Sequence, residues 1–462
     1  MHYRAKQINQ SVFCAYDIRG IIDENFDEHA FYSIGRAIGC RLHALNRQKI
    51  IVARDGRLTS MGLSAALKQG LLDSGITTID IGEVPTPVMY FATFKYGVDS
   101  GVIVTGSHNP ADYNGIKIVL AGKTLVQEDI NILYNLVLNQ TFINGQGQSD
   151  YLDVVPDYIE RILNDVVLRR RLKVVVDCGN GVAGGIIPQL LQKLGCEVIS
   201  LYCDVDGRFP NHHPDPSIEE NLVTLQQTVL QNQADIGLAF DGDADRLGVV
   251  TNTGKVIWPD RLMMLYARHL LKSKPGATIV YDVKCSSHLT DVITAAGGQA
   301  HMCPTGHSIV KGVMKSTQAA LAGEMSGHLF FKDRWYGFDD ALYSACRLLE
   351  IISENPLSAD AQFLTVPDSV NTPEIKIPIS NSQKFNFMQQ FIEHAVFDAI
   401  RKIKIDGLRV EFEHGWGLIR ASNTTPCLVA RFEARDHLSL KAIQELFKQQ
   451  LHSIAKDLVI PF

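Results

Sequence analysis

Two short loops of this chain carry the side chains best suited to chemistry. "TGSHNP" sets Ser107 beside His108 in a turn stiffened by Asn109-Pro110, and "DGDADR" sets Asp241, Asp243 and Asp245 at alternate positions beside Arg246. A serine at the carboxyl end of a strand is placed to act as a nucleophile, because ligands of open α/β sheets gather at those ends. Three carboxylates this close push one another's pKa up unless a cation neutralises them, and an all-oxygen set suits a hard ion, Mg²⁺ first. An EF-hand needs glycine at the sixth position and glutamate at the twelfth; Arg246 and Asn252 stand there, so that loop is excluded. Taken alone, the serine loop reads better as a polar turn bonding its own backbone, and the acidic loop has a solvated turn as its alternative.

Other loops add groups that fit a polar, phosphorylated ligand. "GEMSGH" offers Glu324, Ser326 and His328, which are partners that sugar hydroxyls require, although a turn with a capping glutamate has the same letters. "RASNTTP" follows a strand with Arg420, Ser422, Asn423 and Thr424, whose guanidinium, amide, hydroxyls and turn N–H groups make an anion site; a polar capped turn is the equal alternative. Arg19 in "AYDIRG" and Lys117 in "NGIK" are candidates to flank Ser107, and "PTGHSIVK" contributes His307 and Lys311, which alone are ordinary surface residues. Arg246 suits a phosphate held beside a metal, since its fork takes phosphate oxygens two at a time.

The elements that must position these loops repeat along the chain. Three apolar runs end in aspartate, "IIVARDGR" at Asp55, "VVVDCGNG" at Asp177 and "IVYDVKCS" at Asp282. Each is followed by a helical segment, a second apolar run, a loop, and a third run that leads into a site loop: "SGVIVTGSHNP", "DIGLAFDGDADR" and "QAALAGEMSGH". The alternation predicts βαβ units and three related α/β domains with mostly parallel sheets. Breaks at "NGQGQSD", "TNTGK" and residues 353–373 place the domains at 1–150, 151–253, 254–364 and 365–462. The last segment departs from the pattern: "EIKIPI", a helical stretch to Lys402, three further strand-like runs and a final amphipathic helix predict an α+β domain.

Bulk properties narrow the classes of function. With 462 residues, 46% hydrophobic and 20% charged, the chain has material for several cores. A net charge of −6 without a basic cluster argues against a nucleic-acid partner. Nine cysteines, odd in number and never spaced C-x-x-C, suit a reducing compartment rather than a disulfide framework or zinc site. "MHYRAKQINQSVF" lacks the apolar core of a signal peptide and no apolar stretch is long enough to span a bilayer, so a cytoplasmic protein without a membrane partner is expected.

Taken in order, "AYDIRG", "ARDGR", "TGSHNP", "NGIK", "DGDADR", "DVKCSS", "PTGHSIVK", "GEMSGH" and "RASNTTP" cover nearly the whole chain. In this order they resemble the α-D-phosphohexomutase superfamily, specifically its bacterial phosphomannomutase/phosphoglucomutase branch. The resemblance implies four domains around a central cleft and reversible exchange of hexose 1-phosphate and hexose 6-phosphate. In such enzymes the serine matching Ser107 carries a phosphoryl group, gives it to the sugar phosphate and takes it back from a 1,6-bisphosphate that has turned around. It further implies one Mg²⁺ on Asp241, Asp243, Asp245 and the phosphoryl group of Ser107, with glucose 1,6-bisphosphate or a similar compound as activator. Arg420, Ser422, Asn423 and Thr424 would hold the idle phosphate, and Glu324 and Ser326 the sugar hydroxyls. Tyr16, Arg246, Lys284, His307 and His328 would complete the pocket, and His328, Lys117, His108 and Arg19 are the acid/base candidates. By the same resemblance the chain is a monomer.

Met325 stands where phosphoglucosamine mutases tend to have glutamine, which favours the mannose/glucose branch. Two rivals remain: a haloacid-dehalogenase-like phosphatase with Asp241 as nucleophile, which leaves Ser107 and the Arg420 loop without roles, and a catalytically silent phosphosugar-binding protein. Residues 353–373 are the expected hinge of the last domain.

Overall fold

In the computed structural model, which describes residues 3–14, 16–23, 25–423 and 425–462, each expected repeat folds around one strand order. The first strand of the unit lies between the second and the third, both parallel to it, and a fourth returns antiparallel beside the third. In the first unit these are Lys49–Arg54, Thr77–Glu83, Gly101–Val104 and Tyr113–Leu120. The second unit uses Lys173–Asp177, Glu197–Leu201, Ile236–Phe240 and Leu247–Thr251. The third uses Thr278–Asp282, Gln299–Cys303, Leu321–Gly323 and Leu329–Phe331. The three site loops therefore occupy one topological position, the turn from the third strand into the antiparallel fourth. "GVIV" and "IGLAF", which lead into two of them, are buried along their whole length, as runs flanked on both faces must be.

Several local expectations give way. The loop expected before each third strand is a helix in all three units: Thr86–Lys95, Val223–Gln231 and His307–Thr317. A parallel crossover needs an element covering the sheet, and those segments are apolar enough to pack there. "NGQGQSD" is no free linker, since Ser149–Tyr151 adds a parallel edge strand to Thr77–Glu83. "TNTGK" is a tight hairpin with Gly254 at φ +79°, beyond which Val256–Ile257 still belongs to the second sheet. The helix expected to reach Lys402 is Lys384–His394; Arg401–Ile403 is instead a strand paired with Leu408–Phe412. "IDG", with Gly407 at φ +75°, is the hairpin signal between those strands that takes precedence over helical continuation.

The last domain is a six-stranded antiparallel sheet with Lys384–His394 and His437–Ile454 packed against it, in keeping with the α+β expectation. Much of the expected hinge is fastened to the third domain. Ala359–Phe363 is helical, Phe363 and Val366 enter the main core, and Arg261 donates to Phe363 O and Pro367 O.

Candidate active site

Ser107 is buried and sits at φ +51°, a left-handed conformation that a serine holds only when its surroundings enforce it. The enforcing group is Arg57. Its guanidinium donates to the carbonyls of Ser107 (2.8 Å), Asn109 (2.5 Å), Pro110 (2.5 Å) and Tyr113 (3.0 Å). Asp55 receives Gly106 N at 3.0 Å and faces Arg57 Nε at 3.2 Å, so the end of the first strand grips the turn after the third. Sequence reasoning used "ARDGR" as the end of a repeat strand and as part of a resemblance, and missed this clamp.

The acidic loop approaches from the second domain. Gly242 makes the approach possible, since a Cβ there would stand 2.4 Å from the Ser107 carbonyl oxygen. Ser107 Oγ lies 3.2 Å from His108 Nδ1 and donates to Asp241 Oδ2 at 3.4 Å. Asp241 Oδ1 receives the backbone N–H groups of Asp245 and Arg246, both at 3.0 Å. Lys117 donates to Asp243 Oδ2 at 2.6 Å and to Asp245 Oδ2, and Thr86 donates its hydroxyl to Asp243 Oδ2 at 2.5 Å. Asp243 Oδ1 is left buried with no hydrogen-bond partner, and Asp245 Oδ1 has only the His328 ring, 3.3 Å away.

Asp241, Asp243 and Asp245 each offer an oxygen within 4.8 Å of the others'. An orphaned buried carboxylate oxygen converging with two further carboxylates fits a hard divalent cation. Burial and the two neighbouring carboxylates push Asp241 well above the ordinary carboxylate range. Burial opposes the charged form of Asp245 too, but Lys117 and His328 prevail and hold it well below that range.

The third domain closes the site through an antiparallel bridge between Arg246 and His328. His328 Nδ1 is 2.9 Å from both Glu324 Oε2 and Ser326 Oγ, and Nε2 is 3.3 Å from Asp245 Oδ1. Burial works against its charge, yet Asp245 and Glu324 carry its pKa up to about 9. His108 is the reverse case, with burial and then the cations Arg246 and Arg19 holding its pKa well below the usual imidazole value. Glu324 Oε1 accepts Gly306 N at 2.6 Å, at the start of the helix whose first residue is His307. The His307 ring lies 5.7 Å from that of His328 and 6.4 Å from that of Tyr16.

Apart from Arg19, the remaining predicted residues border or belong to the last domain. Tyr16 donates to Thr305 O (3.3 Å) and accepts from Asn423 Nδ2 (2.7 Å), joining the first, third and fourth domains. Arg420 donates to Asp406 at 2.9 Å, and Asp406 also accepts Thr305 N. Ser422 Oγ is 2.7 Å from Thr425 Oγ1. Thr424 lies outside the described residues. Lys284 donates to Glu374 at 2.5 Å, and Arg19 donates to Asp17 (2.5 Å) and to Asn109 (3.3 Å). Thr86, Asp339, Glu374 and Asp406 were not singled out beforehand; acids and hydroxyls outside site loops give no signal until the fold assembles them.

Three related α/β domains and an α+β domain, whose centre sets a serine at positive φ against three carboxylates, define a multidomain phosphate-chemistry scaffold. Comparison with known proteins makes that specific. The chain matches, in order, phosphoglucomutase/phosphomannomutase alpha/beta/alpha domains I (residues 10–144), II (156–254) and III (258–365) and the C-terminal domain (374–450). It is 50% identical over 452 residues to the phosphomannomutase/phosphoglucomutase of Pseudomonas syringae pv. tomato, covering 98% of this chain and 97% of that one. It is 46% identical over 450 residues to the phosphoglucomutase of Neisseria gonorrhoeae, covering 96% and 98%. The crystal structure of a phosphoglucomutase/phosphomannomutase family protein from Burkholderia thailandensis superposes with a TM-score of 0.94 at 46% identity, covering 99% of this chain and 100% of that chain. The chain belongs to the phosphoglucomutase/phosphomannomutase family.

Proposed function

We infer that this protein interconverts hexose 1-phosphates and hexose 6-phosphates of mannose and glucose by passing a phosphoryl group through Ser107. The observation that carries the reading is the facing of Ser107 Oγ onto Asp241 beside the orphaned Asp243 Oδ1. Asp241, Asp243 and Asp245 would hold Mg²⁺, whose chemistry there is to withdraw charge from a phosphoryl oxygen.

The unphosphorylated site suits the half-reaction in which serine takes a phosphoryl group from a bisphosphate. Ser107 Oγ attacks phosphorus and gives its proton to His108 Nδ1, 3.2 Å away on a neutral ring. The departing sugar oxygen takes a proton from His328, which Glu324 and Asp245 keep charged. Lys117 steadies Asp243 and Asp245 while charge moves. The opposite half-reaction runs the same transfers backward. Arg19, Arg246, Lys284, His307 and Tyr16 supply contacts to the substrate; Glu324 and Ser326 take sugar hydroxyls, and Arg420, Ser422, Asn423 and Thr424 the idle phosphate. A 1,6-bisphosphate would act as activator by charging Ser107.

For the domain limits we propose 1–150, 151–257, 258–364 and 365–462, the second extended because Val256–Ile257 pairs with Leu247–Thr251. A monomer is supported by one chain supplying every group named here, and a cytoplasmic setting by nine free thiols. No helix among the described residues is long and apolar enough to cross a membrane.

Phosphorus NMR of the protein with Mg²⁺, a trace of glucose 1,6-bisphosphate and, separately, mannose 1-phosphate, glucose 1-phosphate and glucosamine 1-phosphate tests the reading. Growth of the 6-phosphate signal from the first two is expected. Free phosphate would shift the nucleophile to Asp241, and dominance of the amino sugar would move the chain to the phosphoglucosamine branch.

A further inference from the structure

Asp339 belongs to none of the motif loops and lies just before the helix Ala341–Glu354, fully buried. Its Oδ1 accepts from Lys311 Nζ at 2.9 Å, and its Oδ2 faces His307 Nδ1 at 3.3 Å. His307 and Lys311 stand one turn apart on the helix His307–Thr317, so both reach the same carboxylate. Lys311 is anchored on its other side by Tyr90, donating to its hydroxyl at 3.1 Å with the ammonium 4.2 Å above the ring. Lys311 and Asp339 thus form a buried ion pair that is neutral as a unit.

His307 Nδ1 and Asp339 Oδ2 face each other at bonding distance, yet both are buried without a hydrogen bond. Leaving two such atoms unpaired is costly, and a modest turn of the imidazole would pair them. Away from Asp339, that ring is stacked with His328 and stands in a T-shaped contact with Tyr16, where a ligand could draw it round. A neutral imidazole that gives Nδ1–H to a carboxylate keeps its lone pair on Nε2. Such a nitrogen accepts a hydrogen bond, so it suits a sugar hydroxyl and repels a phosphate oxygen.

We propose that Asp339, held by Lys311, is a positioning residue that completes a hydrogen bond from His307 Nδ1 when substrate binds and so presents His307 Nε2 as an acceptor to a sugar hydroxyl. This rests on the reading of His307 as a substrate contact.

The test is the steady-state kinetics of Asp339→Asn with glucose 1-phosphate, together with ¹⁵N imidazole spectra of the full-length protein with and without that sugar. His307→Ala serves both to assign the His307 signal and to test its contact role. Expected are a rise in KM of about tenfold with a smaller change in kcat, and loss of the ligand-induced Nδ1–H signature of His307. The double variant Asp339→Asn/Lys311→Met removes the ion pair as a unit, guards against misfolding from an unpaired lysine, and should show the same KM rise. Unchanged KM and an unchanged His307 signature in the folded variants would overturn the proposal. Wild-type kinetics in His307→Ala would instead overturn the contact reading on which it rests.

Discussion

The first three domains and the fourth are joined to the site in opposite ways. A single buried apolar cluster runs from Ile51 and Phe91 through Tyr158 and Leu238 to Trp335 and Val366, so the first three domains share a core. The fourth has its own, around Phe391, Phe432 and Phe447. It meets the third through a small apolar cluster of Val283, Trp416 and Leu418 and through a set of buried charged side chains. Arg409, stacked 3.8 Å over Trp416, donates to Val283 O (2.8 Å) and Cys285 O (2.7 Å); Arg431 donates to Lys284 O and to Asp260 (3.1 Å); and Glu433 accepts from Ser287. A continuous core resists relative motion, whereas an interface built largely of directed polar contacts can exchange them for others. The serine, acidic and histidine loops stand on the domains that share the core, and the Arg420 loop on the domain with its own core, which we propose is the one that opens. Phosphoryl transfer demands fixed geometry, and a bisphosphate that must turn round demands release.

The largest expected effect lies in the domains that share the core. Ser107→Ala should lower kcat by about 10⁴-fold or more, the scale of losing a nucleophile, while thermal unfolding stays near wild type. A loss of KM alone would deny Ser107 that role.

The next pair sets core against core. Phe91→Ala, which removes a fully buried ring 5.4 Å from that of Tyr158, should cost about 3–5 kcal/mol and loosen the first three domains together. Phe447→Ala, at 4.7 Å from Phe397, should cost about as much but split off a separate early transition in calorimetry for the fourth domain. One shared transition in both variants would erase the contrast.

Arg420→Ala should act on recognition, raising KM by the worth of a charge-assisted hydrogen bond, about 1.5–3 kcal/mol, with kcat within a fewfold of wild type. A kcat defect as deep as that of Ser107→Ala would place the fourth domain in the chemical step.

The smallest effect concerns pH. Asp340, at the seam of the second and third domains, accepts from Tyr158 Oη, Trp335 Nε1 and Tyr343 N, yet burial pushes its pKa up to about 7. A raised folded-state pKa means that the folded form holds a proton the unfolded chain releases. The contribution is thus fully present below the ordinary aspartate value of 3.8 and is lost as pH rises through about 7. Thermal melts between pH 4 and pH 8 should show this slope in the wild type and a shallower one in Asp340→Asn. Equal slopes would mean that Asp340 stays charged.

Much of this contrast was legible in the sequence. Asp177 and Asp282 end their strands and Asp55 directly follows its own, and the loops of Ser107, Asp241 and Glu324 fall at one position of a threefold repeat. Local patterning sufficed because each loop is a turn bounded by buried strands. The unread features depend on contacts distant in the chain. Arg57 acts on carbonyls some fifty residues away, Thr86 reaches Asp243 across a domain boundary, and Arg409 and Arg431 look like ordinary strand residues until they meet the 283–285 backbone. Arg401–Ile403 was misread because a helical pattern ran into it and only its partner Leu408–Phe412 makes it a strand. The hinge within residues 353–373 remains a proposal, narrowed toward the stretch after Val366; amide exchange there as slow as in the sheet cores would count against it.

The most direct measurement is to incubate the protein with Mg²⁺ and glucose 1,6-bisphosphate, digest it, and locate the phosphoryl group by mass spectrometry with a hydroxylamine challenge. The expected result is one phosphoryl group on the peptide holding Ser107, stable to hydroxylamine and absent from Ser107→Ala. A hydroxylamine-labile group on the peptide holding Asp241 would contradict it.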